Sequence, residues 1–153
     1  MSSPQNRGQE KGELMQLTKN FTISELTYSV TAEANNIDNR PGVAVVANLK
    51  AVCENVLQPL RDHFNKPVKI TSGYRCLELN QKIGGKYNSQ HLTGNAVDLI
   101  IPQVPLKEVY EYIRITLPYD QLLFETNKKG TQWIHVSYLP NGYNRKQALQ
   151  IKS

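Results

Sequence analysis

Apolar side chains at Val45, Leu49, Val52, Cys53, Val56 and Leu60 recur at three- and four-residue steps. That spacing predicts one apolar face of a helix from about Pro41 to Phe64. Pro59 falls inside the pattern and has no backbone N–H, so a kink or an early stop is expected there. Upstream, Thr22-Ile23-Ser24-Glu25 reads as a capping box with Phe21 as a hydrophobic staple, which predicts a short helix. The polar run from Asn35 to Gly42 is a loop of strong turn formers.

Further along, the period shortens. Val68 to Thr71 reads as a strand after Pro67, and Ser72-Gly73 turns the chain. Leu77 to Ile83 suits a short helix ended by Gly84-Gly85. From Asn95 to Ile101 the pattern alternates, with Ala96, Asp98 and Ile100 on one face and Val97, Leu99 and Ile101 on the other. Leu106, Val109, Tyr110 and Ile113 mark an amphipathic helix. Gln121–Glu125 and Trp133–Tyr138 read as strands joined by the turn Asn127-Lys128-Lys129-Gly130. Helices come first, then strands interleaved with helices. The expected class is α+β, a small, mostly antiparallel sheet with helices packed on it.

The 153-residue length suits one domain. Residues 1–14 are polar and read as a flexible tail or tag, leaving 15–153 as the domain. Apolar runs are a few residues long, far short of the roughly 20 needed to span a bilayer, so no transmembrane segment is expected. The first residues show no apolar signal core. The net charge of +5 suits either a solvated basic surface or attraction to a polyanion. Basic residues never run beyond two in a row and are not interleaved with aromatics, so nucleic-acid binding is not expected. Cys53 lies on the helix's apolar face, Cys76 follows a turn, and nothing pairs them. A monomer is the expected state.

Chemistry concentrates around the histidines. His91 opens a turn, and six residues later Asp98 stands in an otherwise apolar strand. A carboxylate there costs several kcal/mol unless it is paired. His135 lies between Ile134 and Val136 in another predicted strand. If the two strands pair, His91, Asp98 and His135 converge. By residue type they form either a three-ligand zinc site with an open fourth position or a buried His–Asp pair beside an unrelated histidine. His63, at the end of the long helix, reads as structural.

The segments Ser72-Gly73-Tyr74-Arg75, Ser89-x-His91-x-x-Gly94-x-Ala96-x-Asp98 and Trp133-Ile134-His135-Val136-Ser137-Tyr138 resemble the zinc D-Ala-D-Ala carboxypeptidase family. That family includes phage endolysins that cut peptidoglycan stem peptides, and the hedgehog signalling domain is similar in fold. The likeness runs from about Phe21 to Tyr138. It implies a hedgehog-like α+β zinc peptidase with His91, Asp98 and His135 as ligands. It also implies a matching Arg75 that holds an oxyanion or a substrate carboxylate. Many relatives carry a glutamate three residues before the last histidine ligand, where this chain has Gln132, which takes no proton.

Glu125 is the expected substitute. It shares a strand face with Gln121 and Leu123, and the hairpin would bring it close to Trp133 and His135. A solvated Glu125 paired with Lys128 is the plainer alternative, as is an Arg75–Glu78 ion pair for Arg75. Ser89 and Gln90 are expected to contact substrate, or in Ser89's case to orient the His91 turn. Trp133 and Tyr138 could line the cleft or pack in the core, and Tyr74 and Tyr87 are equally open. The expected activity is zinc-dependent hydrolysis of peptidoglycan stem peptides, of carboxypeptidase or L,D-endopeptidase type. The alternative is a non-catalytic zinc-binding recognition module. The substrate lies outside the cytoplasmic membrane, so the protein either waits inside until lysis or is exported with its signal removed.

Overall fold

The computed structural model describes residues 15–153, so the tail expected over 1–14 lies outside the described residues. Strands β1 (Gln16–Thr18) and β2 (Phe21–Thr22) pair as an antiparallel ribbon. Helix α1 (Ile23–Thr27) starts from the expected capping box: Thr22 Oγ1 accepts from the Glu25 N–H at 3.4 Å, and the Glu25 carboxylate accepts from the Thr22 N–H at 3.3 Å. Helix α2 (Val30–Ala34) follows, capped by Ser29. The ribbon and α2 are too short to leave a period in the sequence.

Helix α3 (Val43–Val52), a π-turn over Cys53–Leu57 and helix α4 (Gln58–Phe64) run on from one another. Pro59 neither stops the run nor shortens it. The Gln58 N–H bonds back to the Cys53 carbonyl five residues earlier, and this widened turn comes just before the proline, where an N–H is missing. Leu49, Val52, Cys53, Val56 and Leu60 of the expected stripe are fully buried, with Leu57 beside them, while Val45 is half-buried. Both cysteines are free: Cys53 is in the core, and Cys76 is half-buried with its Sγ accepting from the Leu79 N–H at the start of the next short helix.

Strand β3 (Lys69–Ser72), helix α5 (Leu77–Lys82), a 3₁₀ turn (Gln90–Thr93), strand β4 (Ala96–Ile100) and helix α6 (Leu106–Thr116) come next. Strands β5 (Gln121–Thr126), β6 (Gln132–Ser137) and β7 (Gln147–Lys152) complete the chain. The larger sheet has the order β3-β4-β6-β5-β7, antiparallel except for the parallel β5–β7 pair. The architecture is α+β, as expected. β7 was not anticipated: its Leu149, Gln150, Ile151 and Lys152 are all exposed, so it lacks the alternation of a half-buried strand.

The two faces of the sheet have different tasks. Val97, Leu99, Leu122, Ile134 and Val136 enter one core cluster with α3, α4 and α6. The opposite face carries a transverse row of paired positions, Ser72, Asp98, His135, Leu123 and Leu149. Among the described residues no helix is long and apolar enough to cross a membrane.

The β3–α5 connection has no room for a side chain at Gly73. An added Cβ would collide with the Leu26 carbonyl, which already accepts the Tyr74 N–H at 2.8 Å. Because the obstacle is backbone, it cannot rotate away. Gly73→Ala is therefore expected to destabilise the fold by about 1–3 kcal/mol, read as a lower urea midpoint. An unchanged midpoint would contradict this packing.

Candidate metal centre

The first ring of the centre is held by its own turn. Ser89 caps the 3₁₀ turn, its Oγ accepting from the His91 N–H at 3.2 Å. The His91 carbonyl accepts the Arg75 N–H at 3.1 Å, and His91 Nδ1 lies 2.7 Å from the Gly73 carbonyl oxygen. A carbonyl can only accept, so Nδ1 carries the hydrogen. The opposite nitrogen, Nε2, is then free to present a lone pair. Gly94 closes the turn at φ +77°, and a Cβ added there would meet Val45 and Leu49.

Strand pairing supplies the other two groups. Asp98 of β4 sits directly across from His135 of β6. Asp98 Oδ1 lies 3.0 Å from His135 Nδ1 and 3.4 Å from His91 Nε2. Burial alone would push the Asp98 carboxyl up, but hydrogen bonds from His135 and then His91 outweigh it and hold the group well below the usual carboxylate range. With Nδ1 serving Gly73, an ionised oxygen faces His91 Nε2, and the contact between them is filled by a proton on Nε2 or by a cation in its place. Two acceptors at that distance need a proton or a cation between them. The three ligand atoms lie within 4.8 Å of one another. A tetrahedral centre with bonds of about 2.0–2.1 Å spaces its ligands about 3.3 Å apart, so the 3.4 Å pair already has zinc spacing. By donor type and separation, the trio fits a zinc ion with one position left open.

These groups open onto a cavity of about 570 Å³, which Arg75, Ser89, Gln90, Glu125 and Trp133 also line. Glu125 lies opposite Trp133 in the β5–β6 pair, one row from the Leu123–His135 pair. Desolvation, then the Asp98 charge, raises its pKa above that of an ordinary glutamate. His135, His91 and then the nearby Trp133 indole are weaker counterweights. Burial lowers the Arg75 pKa, partly offset by Asp98 and Glu125. Its Nη2 reaches Ser89 Oγ at 3.4 Å, while its buried Nε has no acceptor. As part of the cavity lining, the Arg75 guanidinium suits an incoming carbonyl or carboxylate oxygen.

Every residue expected as a metal ligand, proton acceptor, oxyanion partner or substrate contact lines this one cavity. The plainer alternatives find no support: among the described residues no ion pair joins Glu125 to Lys128 or Arg75 to Glu78. Gln132 is exposed and bonds Thr126 instead of facing the cavity. Tyr74 and Tyr138 pack against the core, and Tyr87 is exposed. His63 is exposed and stacks on Tyr112 with ring centroids 3.7 Å apart. Sequence reasoning missed Lys86, Asn88 and Arg145 in the lining. It also missed buried Asp120, which the Arg145 guanidinium holds down at about 2. Lone residues in loops leave no period and no motif that could have found them.

A family model described as Peptidase M15 matches residues 19–137, most of the chain. No curated protein sequence matches it.

Metal analysis after dialysis against zinc is expected to give close to one equivalent per chain. His91→Ala, Asp98→Ala and His135→Ala should each lose most of it. A full equivalent retained by any one variant would remove that residue from the ligand set.

Proposed function

The chain belongs to the peptidase M15 family of zinc peptidases, and from that premise we propose that it hydrolyses peptide bonds in peptidoglycan stem peptides. The reading takes residues 15–153 as a single hedgehog-like peptidase domain. The observation that carries it is the convergence of His91, Asp98 and His135 on one cavity that also holds a partly desolvated glutamate. The substrate class follows from the family resemblance of the three motifs, and the net charge of +5 suits an anionic cell wall.

Each residue takes one role. His91 Nε2, Asp98 and His135 Nδ1 would hold zinc, which when bound polarises a carbonyl and makes water acidic enough to ionise near neutral pH. Glu125 accepts the proton of the attacking water as its oxygen bonds to the carbonyl carbon. The same carboxyl then gives that proton to the departing amine nitrogen as the C–N bond breaks, so the glutamate ends as it began. A raised pKa suits both halves of this exchange. Arg75, whose guanidinium belongs to the cavity lining, offers its N–H donors to the oxygen that gains charge, or to a substrate carboxylate. Ser89 keeps Arg75 and the His91 turn in place, and its hydroxyl and the Gln90 amide form the substrate-side wall.

Gln132 first suggested a zinc-binding module without catalysis. Glu125 in the cavity supplies the carboxylate that Gln132 lacks, so the hydrolase reading is favoured.

Glu125→Gln is expected to retain zinc and lose about 10²–10⁴-fold in stem-peptide hydrolysis, measured by chromatography of the products. A zinc-loaded wild type that cleaves no stem peptide would instead support the recognition module. The base works only when ionised, and its folded pKa is raised. Activity should therefore fall on acidification at a higher pH than an ordinary glutamate would give. A kcat/KM profile whose acid limb sits at or below the ordinary value of 4.5 would contradict the assignment.

A further inference from the structure

Asp120 stands just before β5 and is 1% exposed. A carboxylate so far from water must find its hydrogen bonds within the protein. It finds four. Oδ1 accepts from the Arg145 backbone N–H at 2.9 Å and from Arg145 Nε at 3.1 Å. Oδ2 accepts from Arg145 Nη2 at 2.8 Å and from Gln90 Nε2 at 2.9 Å. Its main chain is tied as well: the Asp120 N–H donates to the Ser137 carbonyl at 2.8 Å, and the Asp120 carbonyl accepts the Gln147 N–H at 3.0 Å.

These bonds join two parts of the molecule that are far apart in sequence. Arg145 lies beyond residues 19–137 of the family match, in the stretch that leads into β7. Gln90 immediately precedes His91. The turn that carries His91 is tethered to the β3–α5 connection through Gly73 and Arg75. On the β5 side, the Gln90 side chain is its tie to Asp120.

We propose that Arg145, Asp120 and Gln90 form a clamp through which the C-terminal segment holds the His91 turn in metal-binding geometry. Arg145 and Asp120 are positioning residues in this scheme, since neither touches the ligand atoms. Arg145 occupies three of the carboxylate's four bonds, two through its rigid guanidinium fork and one through its backbone N–H, which fixes where the fourth points. That fourth bond fixes the Gln90 amide, and with it the residue next to the first ligand. The proposal rests on the zinc reading above.

The test is the zinc dissociation constant, measured by competition with a chromophoric chelator on variants shown to be folded by circular dichroism. Gln90→Leu cuts the link and leaves the Asp120–Arg145 pair intact. Arg145→Ala removes the fork. Each is expected to weaken zinc binding roughly tenfold, the lower end of what supporting residues around a metal contribute. The double variant should be no weaker than the worse single one, because both cut the same chain of bonds. The surface variant Glu111→Ala serves as the control and should leave the constant unchanged.

A purely structural role would lower the melting temperature but leave the zinc constant of the folded protein alone, and that result overturns the clamp. Multiplying effects in the double variant overturn it too. If Arg145→Ala fails to fold, Gln90→Leu decides the matter alone. A wild type that binds zinc, with an insensitive Gln90→Leu, sinks the clamp and spares the zinc reading. A wild type that binds no zinc sinks both.

Discussion

One carboxylate oxygen, Asp98 Oδ1, has two imidazole nitrogens aimed at it, and the rest of the site is arranged around that fact. The sheet makes the meeting possible. β4 and β6 pair so that Asp98 and His135 fall directly opposite each other, on the face turned away from the core. Slipping the pairing by one residue would set Asp98 opposite Val136 or Ile134, so that one of the two strands turned its polar side chain into the core and its apolar ones out. The register is secured because that slip would expose the apolar residues of one strand and part Asp98 from His135.

His91 reaches the same oxygen from outside the sheet, so its aim has to be set locally. The Gly73 carbonyl takes the Nδ1 hydrogen and leaves Nε2 facing Asp98. Gly73 can do this only because it lies hard against Leu26, where no side chain fits. The Ser72–Arg75 connection thus has two functions. Its backbone orients the His91 ring, and its last side chain places a guanidinium donor at the cavity.

Much of this was legible in the chain, and the limits have physical causes. Asp98 stood out because a carboxylate in an apolar strand needs a partner, and His135 because it alternates with apolar neighbours. Glu125 could be placed because the Asn127–Gly130 turn fixes the β5–β6 pairing. The Pro59 expectation was sound about the missing N–H, but the helical run does not stop early: it goes on to Phe64, and the irregularity takes the form of a π-turn just before the proline. β7 and the Asp120–Arg145 pair were invisible. A strand held at the edge of a sheet with most of its side chains exposed has no amphipathic signature, and one ion pair across 25 residues has none either.

The centre of the account is that these three side chains, through these particular atoms, share one metal ion. An anomalous difference map recorded at the zinc absorption edge from crystals grown with zinc tests it most directly. The account predicts a single strong peak about 2.0–2.2 Å from His91 Nε2, an Asp98 oxygen and His135 Nδ1. A peak elsewhere, or one that leaves any of the three beyond bonding distance, would contradict it.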